Sequence, residues 1–117
     1  MNRIDKQLKK GVLDILILSL LSKNDRMYGY EIIKILKHES RDYYALKEGS
    51  LYPVLYRLED KGFIKNEIIY SQTKRGVPRK YYSITESGKH MLQNYLEAWD
   101  LFIRATNNIL QEQEGAI

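Results

Sequence analysis

The chain contains no cysteine among its 117 residues. This absence excludes disulfide bonds, thiolate zinc sites and a cysteine nucleophile, and it fits a reducing compartment. Residues 1–5 lack the basic-then-apolar pattern of a signal peptide, so we expect a cytoplasmic protein. The apolar run of residues 12–21 has about half of the ~20 residues that a membrane span needs, and it includes Asp14. We therefore expect a buried helix and no membrane partner.

The residue patterns typical of enzymes are also scarce. The two histidines, His38 and His90, are far apart, with no acidic residues spaced around them as in a metal site. Ser71 and Lys74 fit the S-x-x-K pattern, but this match is frequent by chance and falls in a predicted loop rather than at a helix start. No glycine-rich phosphate loop is present. We therefore predict no enzymatic activity, no metal site and no cofactor.

Positive charge is concentrated in one segment. Nineteen Lys and Arg against fifteen Asp and Glu give a formal net charge of +4. Residues 71–85 contain no acid and include four basic residues that account for the whole excess: Lys74, Arg75, Arg79 and Lys80. A solvated turn and a contact with a polyanion are both compatible with this charge, and charge alone does not decide between them.

Apolar periodicity predicts three helices in about the first sixty residues. The first, over residues 4–21, has so broad an apolar arc that we expect two partners, with the C-terminal helix or a second chain covering one side. The second spans residues 28–38, where Gly29 permits a close approach to a neighbouring helix. The third spans residues 49–61.

The third helix carries one apolar stripe, formed by Leu51, Val54, Leu55 and Leu58. Pro53 is harmless only in the first turn, because its missing N–H has no intrahelical partner there. This places the helix start near Gly49 or Ser50, with Ser50 as the N-cap. Gly62 is suited to end the helix in a left-handed conformation.

The opposite face of the third helix carries Tyr52, Tyr56 and Arg57. These side chains can reach phosphates and base edges of a nucleic-acid duplex. For each tyrosine, the alternative is a half-buried ring with its hydroxyl at the surface. For Arg57, the alternative to a DNA contact is an ion pair with Glu59 or Asp60.

Two β-rich segments follow, at residues 63–70 and 79–84, and predict a hairpin with a long basic loop at residues 71–78. Three helices followed by a hairpin form a winged helix-turn-helix, whose third helix enters the major groove while the hairpin loop, the wing, lies along the backbone or the minor groove. This mainly α (α+β) fold brings the polar helix face and the charge excess to one side. The predicted wing contacts to DNA are Lys74, Arg75, Arg79 and Lys80.

A long last helix is predicted from Thr85, as N-cap, to about Gln111, with Glu86 in its first turn. Its apolar residues follow a 4-3 repeat that requires a partner surface, either its own domain or a second chain. We predict a dimer. The predicted interface residues are Leu8, Val12, Ile15, Leu92, Tyr95, Leu96, Trp99, Phe102, Ile103 and Leu110. Residues 1–84 would form the DNA-binding domain, and residues 85–117 the dimerisation helix with a frayed tail.

Several motifs, in this order, resemble the PadR-type transcriptional regulators. They are Lys10-Gly-Val-Leu-Asp-Ile-Leu-Ile-Leu18, Tyr28-Gly-Tyr-Glu-Ile-Ile33, Glu48-Gly-Ser-Leu-Tyr-Pro53, Leu55-Tyr-Arg-Leu-Glu59, Gly62-Phe-Ile64, Pro78-Arg-Lys-Tyr-Tyr82 and Thr85-Glu-Ser-Gly88. The resemblance covers residues 9–110 and implies a homodimeric bacterial repressor of the short form, which has a single C-terminal dimerisation helix. Such a dimer would bind a pseudo-palindromic operator in double-stranded DNA. Ser50, Tyr52 and Pro53 match the part of the family motif that lies at the DNA surface.

Trp99 is the only tryptophan and lies on the predicted dimer seam. It is either an interface anchor, since tryptophan buries a large area where chains meet, or part of an effector pocket. The resemblance to multidrug-responsive members implies a pocket for a planar aromatic ligand, for which Trp99, Ile15 and Ile103 are the candidates. The alternative to a regulator is a dimeric protein-interaction module that uses its winged helix without specific DNA binding, against which the basic wing argues.

Overall fold

The computed structural model describes residues 8–9, 11–70 and 77–111. Leu8 and Lys9 are helical, and the elements that follow are α1 (Val12–Lys23), β1 (Met27–Tyr28), α2 (Gly29–Glu39), α3 (Glu48–Asp60), β2 (Ile64–Tyr70), β3 (Pro78–Ile84) and α4 (Glu86–Leu110). The arrangement confirms the predicted fold class, a winged helix-turn-helix with a long C-terminal helix.

One hydrophobic core joins all of these elements except the distal part of α4. Its buried apolar residues are Ile17, Leu18, Leu21, Met27, Ile32, Leu36, Leu51, Val54, Leu55, Leu58, Ile64, Tyr82 and Leu92. The predicted stripe of α3 therefore forms the centre of the core. Leu92, predicted at the dimer interface, is instead buried by its own chain, because the first turns of α4 pack on the body. The division of the chain at residue 84 remains a prediction.

The sheet has three antiparallel strands in the order β1-β3-β2, rather than the two of the predicted hairpin. The hairpin itself is confirmed, with Ile64 opposite Ile84 and Tyr70 opposite Pro78. The additional strand, β1, places Met27 opposite Tyr82. Two residues are too short for a period-2 pattern, so the sequence carried no signal for this strand.

The predicted first helix is interrupted at Gly11. This residue has a φ of 90°, a left-handed conformation that only glycine adopts without strain, and α1 begins directly after it. The apolar periodicity continues across the interruption, which is why the sequence favoured one continuous helix. Glycine followed three residues later by an acid, Asp14, is the N-terminal pattern that could have located the true start.

The last helix, α4, extends well beyond the core. Its start is confirmed: the Thr85 hydroxyl accepts a hydrogen bond from the Gly88 amide over 3.0 Å. The described residues measure 68 × 31 × 21 Å with a radius of gyration of 17.2 Å, whereas a compact chain of this length has about 13 Å. None of the described helices combines the length and the apolar composition that a membrane span requires.

Candidate nucleic-acid interface

The start of α3 has no side-chain cap, whereas its end is closed by Gly62. Lys47 is the N-cap and makes no side-chain capping bond. The prediction of Ser50 as the cap is therefore wrong; Ser50 lies in the first turn and is exposed. At the other end Gly62 has a φ of 78°, as predicted, and donates its amide to the Glu59 carbonyl. The Phe63 amide reaches the Leu58 carbonyl, which completes a Schellman motif.

Pro53 lies inside α3 rather than in its first turn, because the helix begins at Glu48. The carbonyl of Gly49 consequently lacks the intrahelical donor that residue 53 would normally supply. Both residues are exposed, so water can satisfy this carbonyl. The proline thus lies on the outer face of α3 beside Tyr56, which is also exposed.

The two tyrosines of α3 differ in burial. Tyr56 is exposed, whereas Tyr52 is half-buried with its hydroxyl against Gly29. A Cβ on Gly29 would lie 2.5 Å from that hydroxyl, which confirms that this glycine permits a close approach. Burial, followed by the nearby Glu48, raises the pKa of Tyr52 above its ordinary value. Tyr56 therefore presents the larger surface to a duplex.

Arg57 is engaged by its own chain. Its guanidinium donates to the carboxylate of Asp14 on α1, a residue 43 positions earlier, rather than to Glu59 or Asp60. Asp14 is buried, and Arg57 remains about half exposed. The predicted DNA contact of Arg57 remains a prediction, and its ion pair gives it a structural role as well.

The two basic residues at the base of the wing point to opposite faces of β3, as neighbours on a strand must. The Lys80 ammonium lies 5.6 Å from the ring centroid of Tyr56, on the side of α3. The Arg79 guanidinium lies 4.6 Å from the ring of Tyr28, on the other side. Lys74 and Arg75, the predicted wing tip, lie outside the described residues. Within the described part, Lys80 is the wing residue that adds charge beside α3.

Tyr82 supports this surface from beneath. Its side chain is fully buried, and its hydroxyl has no hydrogen-bond partner among the described residues. Burial, with smaller contributions from Glu59, Tyr56 and Tyr52, raises the pKa of Tyr82 to about 12. The ring therefore acts as an uncharged packing element between β3 and α3.

A second feature is an apolar groove between the start of α1 and α4, with a volume of about 560 Å³. It brings together the three residues predicted for an effector pocket, Ile15, Trp99 and Ile103. The Trp99 and Phe102 rings stack with centroids 6.0 Å apart. Sequence reasoning missed Tyr43 in its wall, although two adjacent tyrosines in a loop were a visible signal. We call this cavity the α1–α4 groove.

The distal half of α4 presents a row of exposed apolar side chains. Those predicted for the dimer interface include Leu96, Trp99, Phe102 and Leu110, while Val12, Ile15, Tyr95 and Ile103 are half-buried along the α1–α4 groove. Leu8, also predicted there, is exposed at the groove's rim. Monomeric proteins rarely expose so continuous an apolar face, which marks it as a surface for binding.

Comparison with known proteins places these features in a family. Residues 17–94 match the model of the transcriptional regulator PadR-like family. A Lysinibacillus sphaericus protein, named uncharacterized protein X, is 40% identical over 90 residues, which cover 77% of this chain and 80% of the relative.

Two further relatives have informative names. A transcriptional regulator from Clostridium thermocellum has a TM-score of 0.80 and 34% identity, with 90% of this chain and 99% of that one covered. The negative transcriptional regulator PadR of Bacillus subtilis is 36% identical over 85 residues, which are 73% of this chain and 45% of its own. The structure of Bacillus subtilis PadR in complex with operator DNA has a TM-score of 0.64, with 36% identity over 74% of this chain and 47% of that one.

Proposed function

This chain belongs to the PadR-like family of transcriptional regulators, and we propose that it is a homodimeric repressor that binds a specific operator in duplex DNA. Membership in a family of regulators confirms the prediction that the chain is not an enzyme. The observation that carries the proposal is the exposed face of α3, with Tyr56 beside the Lys80 ammonium. Such a regulator acts on chromosomal DNA, which in a bacterium is in the cytoplasm.

The face of α3 has the chemistry that a duplex requires. Ser50 and Tyr56 offer hydroxyl groups that can donate to phosphate oxygens, and the exposed Pro53 offers an apolar surface. Lys80 supplies positive charge beside them. The operator-bound structure of Bacillus subtilis PadR supports DNA as the partner, and the name of that relative, negative transcriptional regulator, supports repression.

The proposed dimer forms through the distal half of α4. A second copy is the occupant we propose, because this exposed apolar strip follows a 4-3 repeat, the pattern by which two helices pack. Thr85 links α4 to the end of α3, since its hydroxyl donates to the Gly62 carbonyl over 2.6 Å and its amide to the Phe63 carbonyl over 3.0 Å. Pairing of α4 would therefore fix the separation of the two α3 helices, which is about 34 Å for adjacent major grooves.

We further propose that a planar aromatic ligand relieves repression by binding in the α1–α4 groove. The volume of about 560 Å³ suits a small molecule, and the Trp99 and Phe102 rings offer faces for stacking. Such a ligand would act by favouring one separation of the α3 helices. Quenching of Trp99 fluorescence by planar aromatic compounds tests this; unchanged emission with every compound of a broad panel would contradict it.

The test of the proposed function is a gel shift with the promoter region of the protein's own operon at two salt concentrations. We expect a discrete complex that survives excess unrelated DNA at low salt and weakens as salt rises, because phosphate contacts release counterions. The control is a promoter fragment of equal length from an unrelated operon. Absence of a specific shift at low salt would contradict the repressor function.

A further inference from the structure

The ion pair between Asp14 and Arg57 joins two elements that have separate tasks. Asp14 lies in the first turn of α1 and is 7% exposed, and its carboxylate accepts a hydrogen bond from Arg57 near the end of α3. The other ion pairs between described residues, Lys89 with Glu86 and Arg104 with Asp100, are exposed and local to α4. Among the ion pairs of the described residues, this one alone connects α3 to another element.

The same turn of α1 lines the α1–α4 groove. Gly11, Val12 and Ile15 form part of the groove wall, and Asp14 directly precedes Ile15 in the chain. A displacement of this turn therefore also displaces the Asp14 carboxylate. Gly11, with its φ of 90°, separates the turn from the helical residues Leu8 and Lys9. The first turn of α1 is therefore not held in one continuous helix with Leu8 and Lys9.

Because Asp14 is buried, separating it from Arg57 is energetically costly. If Arg57 lost contact, a carboxylate would remain buried without its countercharge, which is strongly unfavourable. A movement of the first turn of α1 must therefore carry Arg57 with it or break the pair at high energy. Either response acts on Arg57, which lies in the last turn of α3.

We propose that Asp14 is a positioning residue that fixes α3 through Arg57 and couples the α1–α4 groove to DNA binding. The inference rests on the proposed function, since it explains how the same α3 would respond to a ligand. In this proposal Arg57 holds α3 through its ion pair with Asp14, whereas its place on the polar face suggested a phosphate contact. The two tasks predict different salt dependences, because only a phosphate contact contributes to counterion release.

The test compares the full-length chain with Asp14→Asn, Arg57→Gln and the double variant, titrated onto labelled promoter DNA by fluorescence anisotropy over a range of salt. We expect each single variant to weaken specific binding about tenfold, the double variant to weaken it no further, and the slope against salt to stay unchanged. Glu86→Gln, which removes an exposed ion pair at the start of α4, is the control and should bind as the parent does.

A second signal separates coupling from general loosening. Trp99 lies in the groove wall, so DNA binding by the parent chain should change its emission, and this change should vanish in Asp14→Asn and Arg57→Gln. If Arg57→Gln, which leaves the buried Asp14 carboxylate without its countercharge, does not fold, Asp14→Asn, which removes that charge, gives the same measurements.

Two results would overturn the proposal. In the first, Asp14→Asn binds DNA like the parent, while Arg57→Gln makes the slope of log affinity against log salt shallower by about 0.9. This result would make Arg57 a phosphate contact. The other is a fully additive loss in the double variant. Failure of the proposed function would look different: the parent chain itself would bind its promoter no better than unrelated DNA.

Discussion

The winged-helix body and the distal half of α4 cover their apolar side chains in different ways. In the body, Leu55 and Leu58 are fully buried by their own chain. Along distal α4, Phe102 is 60% exposed and Leu110 is 73% exposed. Both regions have regular apolar periodicity in the sequence. Periodicity therefore predicts a covered face, whereas only the packed structure distinguishes a face covered by its own chain from one left for a partner.

The two regions also have different proposed functions, DNA binding in the body and dimerisation in distal α4. The body contains α3 and the wing, which would contact DNA, and it has a complete core of its own. Distal α4 would contribute the spacing between two bodies and one wall of the α1–α4 groove. Variants can therefore be chosen to damage one region and spare the other.

The largest expected effect is loss of the dimer in Ile103→Glu. A charge buried in the α4 seam should weaken association by about 4 kcal/mol, because a carboxylate would be removed from water without a partner. Sedimentation velocity should show a monomer, and circular dichroism should show unchanged helical content, since the body core ends at Leu92. The matched control is Leu101→Glu, at an exposed position off the seam, which should remain dimeric. Equal effects of both variants would contradict the proposed interface.

The next effect is loss of stability in Gly88→Ala, which tests the junction between the body and α4. A Cβ at Gly88 would lie 2.0 Å from the Phe63 carbonyl oxygen, a backbone atom that cannot rotate away. We expect a loss of about 3 kcal/mol in the free energy of unfolding, measured by urea denaturation. Gly49→Ala is the control, because a Cβ there meets nothing within 4 Å, and it should stabilise α3 slightly. A wild-type midpoint for Gly88→Ala would show that the junction is not tightly packed.

A smaller effect concerns the two basic residues at the wing base. Because Lys80 lies beside Tyr56 and Arg79 lies on the other face of β3, only Lys80 is expected to neutralise a phosphate. Lys80→Ala should therefore make the slope of log affinity against log salt shallower by about 0.9. Arg79→Ala should leave that slope unchanged. The reverse pattern in a salt titration would place the duplex on the opposite face of the sheet.

The smallest effect is that of the Tyr82 hydroxyl on stability. Its pKa rises from 10.0 to about 12 on folding, so between these values the unfolded state binds fewer protons and stability falls as pH rises. Below pH 10 this contribution is fully present. Tyr82→Phe should reduce the loss of stability at alkaline pH. Because the hydroxyl has no partner among the described residues, the substitution should also stabilise the protein by about 1 kcal/mol at neutral pH. Tyr70→Phe is the control, because Tyr70 is exposed. Destabilisation by Tyr82→Phe would contradict the prediction, since it would show that the Tyr82 hydroxyl has a hydrogen-bond partner.

Most of the fold could be predicted because its signals are local. The stripe of α3, the left-handed Gly62 and the cap at Thr85 depend on residues within one or two turns. The interruption at Gly11 was hidden, because apolar spacing continues across it. Strand β1 was hidden for another reason: two residues pair with β3 only after the chain has folded.

The candidate site could be predicted less fully, because it depends on contacts between distant residues. The sequence identified the polar face of α3, but the burial of Tyr52 depends on Gly29 on another helix. For Arg57 the sequence predicted a DNA contact, with an ion pair on its own helix as the alternative, whereas its partner in the structure, Asp14, is 43 positions away. Charge alone indicated both Arg79 and Lys80, and only the pleat of β3 separates them.

The proposed binding of one operator by two bodies joined by α4 is tested directly by comparing the parent chain with Ile103→Glu on labelled promoter DNA. The mass of each complex and its competition by unrelated DNA should be measured together. We predict that the parent binds as two chains per operator with clear preference for the promoter, and that the monomeric variant binds both DNAs weakly and equally. A monomeric Ile103→Glu with the parent's affinity and preference would contradict the account.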